Sequence, residues 1–198
     1  RLLKRDSGEV LIDGKDVLEW DNKELAKKVA ILRQSNNINI RLTIRELVSF
    51  GRFPHSQGNI TEEDENYIDE ALEYMQLKEY EDRYLDELSG GQRQRAYIAM
   101  VIAQNSDYIF LDEPLNNLDM KHSVEIMKTL RKLCDELNKT VVIVIHDINF
   151  ASCYSDNIVA LKNGRVVKDG VAEDTIQKKE LESIYEIDFH IENINNRN

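Results

Sequence analysis

Tyr108–Glu113 reads YIFLDE, with Pro114 behind it. Four apolar residues in succession make a strand fit for burial, and two carboxylates then emerge together at its carboxyl end. Open α/β sheets receive their ligands at that edge. The residue types allow a division of labour, in which one acid holds a hydrated Mg²⁺ and the other orients or deprotonates an attacking water. Two solvated acids at a strand-to-loop junction would carry the same letters, so the pair takes its meaning from its surroundings.

Downstream, a helix is predicted over about 121–137, followed by TVVIVIH (Thr140–His146), the most strand-like segment of the chain. Its apolar run, Val141–Ile145, suits a strand buried on both faces of a parallel sheet. His146 then lands at the same kind of edge as the acids, where an imidazole can donate to a phosphate oxygen as charge develops. A structural histidine is the plainer alternative, and Asp147 reads as a helix cap.

Upstream, LSGGQRQR (Leu88–Arg95) opens a helix that runs to about Gln104. Ser89 is a good N-cap, whereas glycine costs roughly 1 kcal/mol against alanine inside a helix. At a helix mouth Gly90 and Gly91 expose backbone N–H groups without intrahelical partners and let a bulky anion come close, and the helix dipole favours negative charge there. A capping or flexible SGG is the plainer alternative here too.

The remainder alternates strand and helix signals, which predicts an α/β domain with a parallel core. GEVLIDGKDV turns at Asp13-Gly14 and NIVALKNGRVVKDG at Asn163-Gly164, both hairpin signatures. NKELAKKVAILRQ predicts a short helix and then a strand ending near Arg33 and Gln34. Residues 43–88 read as a mainly helical subdomain inserted between strands. Thr43 precedes Glu46 at capping-box spacing, Thr61 opens a second helix with acids in its first turn, and Ile68, Ala71, Leu72 and Met75 form one stripe. A last helix is expected at about 175–185.

Apolar residues make up 41% and charged residues 32% of the 198-residue chain, which suits a soluble, folded domain. The formal charge of −11 argues against non-specific binding to nucleic acid. The longest apolar run, Tyr97–Ala103, has seven residues, far short of the ~20 that span a bilayer. Cys134 and Cys153 lack metal-ligand spacing and read as idle thiols in a reducing compartment.

Taken in order, LSGGQ (Leu88–Gln92), YIFLDE (Tyr108–Glu113), NNLD (Asn116–Asp119) and VIH (Val144–His146) resemble the motifs of ABC transporter ATP-binding subunits, and the resemblance runs essentially end to end. It implies a P-loop NTPase-like fold, a RecA-like parallel sheet with an inserted α-helical subdomain. Leu88, Ser89, Gly90, Gly91 and Gln92 match the signature motif, and Tyr108–Asp112 the Walker B strand. Glu113 stands at the catalytic carboxylate, Asp119 in the D-loop, His146 at the switch histidine and Gln34 at the Q-loop glutamine. The family more often has small residues where Asn116 and Asn117 stand.

By this resemblance Glu113, His146 and Gln34 serve hydrolysis of ATP, and Asp112 with Gln34 meets Mg²⁺. Two subunits pair head to tail, so that Leu88–Gln92 and Asp119 reach the nucleotide held by the other copy. Further implied partners are membrane permease subunits, contacted through the Q-loop and helical subdomain, and indirectly an extracellular substrate-binding protein. The chain would then work at the cytoplasmic face of the membrane.

LTIRELVSFGRFPH (Leu42–His55) is similar to the ferric-siderophore, haem and cobalamin importer branch, most of all its ferric-siderophore members. Phe50, Arg52 and Phe53 are candidates for the groove that receives the permease. No G-x-x-x-x-G-K-[ST] occurs in the chain, and its start looks like the end of the helix after that loop. The first strands and Walker A are therefore expected to be missing by truncation, and residues 1–198 alone to neither bind nor hydrolyse ATP appreciably. A P-loop-less interaction module is the non-enzymatic alternative.

Overall fold

The computed structural model describes residues 5–34, 40–116 and 118–192. The helix end expected at the very start of the chain and Asn117 of the NNLD stretch lie outside the described residues. The chain divides into two compact units, Arg1–Val144 and Ile145–Asn198.

The first unit begins with the hairpin β1 (Leu11–Ile12) and β2 (Lys15–Asp16). Asp13 and Gly14 at its turn both have positive φ, 51° and 74°, as a type I′ turn requires. Asp21 caps α1 (Asn22–Lys28), which leads into β3 (Val29–Leu32), two residues short of Gln34. Next come α2 (Ile44–Ser49), a 3₁₀ turn at Phe50–Arg52, α3 (Phe53–Ser56) and α4 (Glu62–Tyr74). The unit closes with α5 (Gly90–Ala103), β4 (Tyr108–Asp112), α6 (Met120–Leu137) and β5 (Thr140–Val144).

Strands β3, β4 and β5 form a parallel sheet in that order, with Leu32 level with Leu111 and Asp112 level with Val144. Ala30, Leu32, Ile109 and Leu111 are buried on one face. On the other, Ile31, Val142 and Val144 stay 44–50% exposed. Burial of β5 on both faces, expected from its unbroken apolar run, does not hold. β5 is an edge strand of this sheet, α6 packs on it, and pleating sends Val142 and Val144 to the opposite side from Val141 and Ile143.

The predicted capping boxes at α2 and α4 both form. Thr43 exchanges hydrogen bonds with Glu46 at 3.2 and 2.7 Å, and Thr61 with Asp64 at 3.2 and 3.0 Å. Ile44, Leu47, Val48, Ile68, Ala71, Leu72 and Met75 are buried where α2, α4 and α5 pack together. Each fully buried Leu or Ile adds about 1.5–3 kcal/mol.

Arg52 does not line an outer groove. It is 4% exposed, and its Nε donates to Asp64 Oδ1 at 2.8 Å while Nη1 donates to the Ala103 carbonyl at 2.8 Å. The guanidinium also lies over the Tyr67 ring. An arginine turned inward satisfies the last carbonyls of α5, which have no intrahelical donors. Burial alone would raise the Asp64 carboxyl, but hydrogen bonds from the Thr61 backbone and from Arg52 hold it below the ordinary carboxylate range. Phe50 and Phe53 do point outward, 48% and 60% exposed. Between them, Gly51 permits a close approach to α5, since a Cβ there would stand 2.0 Å from the Met100 carbonyl oxygen.

The second unit holds α7 (Ile148–Tyr154), the antiparallel hairpin of β6 (Asn157–Lys162) and β7 (Arg165–Val171), then α8 (Ala172–Thr175) and α9 (Lys178–Tyr185). Asn163 and Gly164 make the predicted turn with φ of 53° and 72°. The last helix comes in two pieces because Ile176 leaves the helical region to bury its side chain.

Candidate active site

The parallel sheet of the first unit brings the ends of β3 and β4 side by side, and the candidate residues follow those ends. Gln34 Nε2 donates to Glu113 Oε2 at 2.5 Å, across 79 positions of sequence. Asn116 Nδ2 donates to the same oxygen. The Glu113 backbone N–H donates to the Val144 carbonyl at 3.1 Å, extending the ladder one residue past Asp112. The chain then leaves the strand through a left-handed residue, Glu113 itself at φ 50°. Asp112 is the exposed last residue of β4. Thus Gln34, Asp112 and Glu113 meet at one sheet edge, with a carboxylate oriented by two amides.

Ser89 caps α5 as predicted. Its Oγ accepts from Gln92 N–H at 3.2 Å, and Gln92 Oε1 accepts from Ser89 N–H at 3.1 Å. A Cβ added at Gly90 would meet nothing within 4 Å, so no packing inside the described chain requires glycine there. At Gly91 a Cβ would touch the His122 ring and Leu118 Cδ2 at 3.6 Å. Leu88 is half-buried and extended, delivering the chain to the cap. Asp119 caps α6, and its carboxyl is held below the ordinary range by the His122 backbone N–H and then by the His122 ring.

His146 falls in the second unit, exposed, just ahead of Asp147. Asp147 accepts from the Asn149 and Phe150 N–H groups and so caps α7, as its position predicts.

Two glutamines went unrecognised in the sequence. Gln94 Nε2 donates to the Pro114 carbonyl at 3.0 Å, tying α5 to the turn that carries Glu113. Gln104 Nε2 reaches the carbonyls of Ala26 and Val29 and the Ser106 hydroxyl, and so joins the end of α5 to β3. The repeated Gln-x-Gln of Gln92 and Gln94 is the one local hint of the first. His122, three residues after the Asp119 cap, carries a spacing that could have drawn notice.

Mg²⁺ takes oxygen ligands and is held by one or two carboxylates together with substrate phosphates. An exposed Asp112 carboxylate at the end of β4, on the sheet edge where Gln34 meets Glu113, fits that habit as a donor, with the phosphates arriving on the nucleotide.

A family profile described as ABC transporter matches residues 1–116. The petrobactin import ATP-binding protein YclP of Bacillus subtilis (strain 168) is 66% identical over 197 residues, which is 100% of this chain and 78% of that protein. The petrobactin import ATP-binding protein FatE of Bacillus anthracis is 49% identical, across 96% of this chain and 76% of its own length. Among solved structures, the dimeric ATP-binding cassette MJ0796 in a post-hydrolysis state with ADP and Pi superposes with a TM-score of 0.74 at 35% identity, over 86% of this chain and 76% of that one. Motif order, the parallel sheet with its edge carboxylate, and these likenesses agree: the chain belongs to the ABC transporter family, as an ATP-binding, ATP-hydrolysing domain.

Proposed function

We propose that this chain powers the uptake of a ferric siderophore, hydrolysing ATP as one of two paired subunits beneath a membrane permease. The cargo class rests on the relatives, whose names specify petrobactin import. The hydrolytic role rests on one observation: the Glu113 carboxylate at the end of β4 accepts from Gln34 at 2.5 Å. A fixed carboxylate at that edge can take a proton from a water attacking the γ-phosphate. Gln34, at the end of a neighbouring strand, orients that carboxylate and reports on the site to the permease. Asp112 would hold Mg²⁺, which when bound supplies positive charge to the phosphate oxygens.

Ser89, Gly90 and Gly91, with Leu88 and Gln92 shaping the helix mouth, face the γ-phosphate on the partner copy, and Asp119 joins them there. His146 donates to a phosphate oxygen. Residues 43–88 act as the helical subdomain of a single nucleotide-binding domain, with Phe50 and Phe53 against the permease at the cytoplasmic face. The extracellular binding protein delivers cargo to that permease and meets this chain only through it.

The test needs a phosphate-binding loop, which the 198 residues do not contain. With a G-x-x-x-x-G-K-[ST] segment joined upstream and the permease present, Glu113→Gln should retain ATP binding while turnover falls about 10²–10⁴-fold. Normal turnover in that variant removes Glu113 from the reaction. Radiolabelled iron supplied as ferric petrobactin should accumulate in cells relying on this ATPase. Accumulation of haem or cobalamin instead overturns the cargo assignment.

A further inference from the structure

Asp119 and Gly91 sit in different elements, the cap of α6 and the first turn of α5, and one residue stands between them. The His122 backbone N–H donates to Asp119 Oδ1 at 3.0 Å, and its ring Nδ1 lies 2.7 Å from Asp119 Oδ2. A ring nitrogen facing an ionised carboxylate carries the proton and donates. Both oxygens of Asp119 are therefore engaged by a single residue. The same ring lies along Gly91, where an added Cβ would be 3.6 Å from its Cγ and Nδ1.

We propose that His122 is a positioning residue: it fixes the Asp119 carboxylate and braces the mouth of α5, so that the two elements meet the partner's nucleotide as one rigid surface. The proposal rests on the composite-site reading above. Asp119 is 64% exposed at its side chain, and an untethered carboxylate at that exposure samples several rotamers. Holding such a side chain still is a cost that binding itself must otherwise meet. His122 meets that requirement before the nucleotide arrives, and touches no nucleotide itself.

The arrangement predicts a defect in trans. Subunits carrying an upstream phosphate-binding loop are paired through two different affinity tags, and one copy carries Glu113→Gln so that a single site turns over. When that same copy also carries His122→Ala, the live site borrows Asp119 and Gly91 from it, and kcat should fall about 10- to 100-fold with little change in KM for ATP. When His122→Ala is placed in the other copy, the live site borrows an intact surface and its rate should hold. His122→Asn, which keeps an N–H near the Nδ1 position, should restore most of the rate, and His122→Gln should not.

Equal losses in both arrangements, or equal rescue by Asn and Gln, overturn the proposal. Gly91→Asp is the control for the underlying reading. If it acts in trans while His122→Ala does not, the tether fails and the composite site stands. If Gly91→Asp is silent in trans, the composite site fails and the tether with it.

Discussion

Asp64 does two jobs at once: one oxygen closes the capping box of α4 through Thr61, and the other takes the buried Arg52. Removing one partner of a buried ion pair leaves an uncompensated charge, so Asp64→Ala should lower unfolding free energy by about 3–5 kcal/mol in denaturant titrations. Replacing both residues by apolar ones of similar size should cost much less. The Asp64 carboxyl is lower in the folded chain than its ordinary value of 3.8. Its contribution is therefore complete above that value and is lost as pH falls below about 4, through the lowered folded value. An acid titration of stability in Asp64→Asn should lack that component. The placement of Glu113, Gln34 and Ser89 could be read from motif position, because each sits at a recognisable strand or helix end. Arg52 could not. A charged residue beside two aromatics reads as surface, and only the approach of α5 reveals that its carbonyls need a donor.

At the scale of elements, Gly51 and Gly90 invite opposite outcomes from the same substitution. Gly51→Ala drives a methyl into the Met100 carbonyl, 2.0 Å away on the backbone of α5, so the 3₁₀ turn must shift. A loss of about 1–3 kcal/mol is expected, read as a lower melting temperature. Gly90→Ala meets nothing within 4 Å and should leave melting unchanged or raise stability by up to about 1 kcal/mol. On the proposed composite site, ATP turnover in a dimer should nonetheless drop, because the added methyl would stand where the partner's phosphate approaches. Unchanged turnover in Gly90→Ala would argue against an anion at that mouth. Caps and hairpins were legible because they are local: Thr43 with Glu46, or Asn163 with Gly164, need only their own neighbours. The one-sided exposure of β5 was not, because burial depends on what covers each face of the sheet. The splitting of the last helix turns on one tertiary contact, the burial of Ile176.

Over the whole chain, apolar surface and net charge pull against each other. The first unit exposes Ile31, Val142 and Val144 on one sheet face, and the second exposes Val159, Leu161, Val166 and Val167 on its hairpin. A charge of −11 keeps copies apart at low ionic strength. At about 0.15 M salt that repulsion is screened beyond roughly 8 Å. Light scattering should show association rising with salt, and Val142→Thr with Val144→Thr should reduce it. Falling association with added salt would instead mark charge pairing as the driving contact. Among the described residues no helix is long and apolar enough to cross a membrane. The order of motifs along the chain was enough to read the family, since no single one of them carries it.

The left-handed backbone at Glu113 sets what a search for hardier variants would return. An L-residue held at φ 50° is strained by about 1–2 kcal/mol, and asparagine tolerates that region better than glutamate. Selection for heat resistance alone should therefore drift toward Asn at 113, enriching sturdier molecules that lack the carboxylate proposed for hydrolysis. At this one position, durability and work are set against each other by a single dihedral angle.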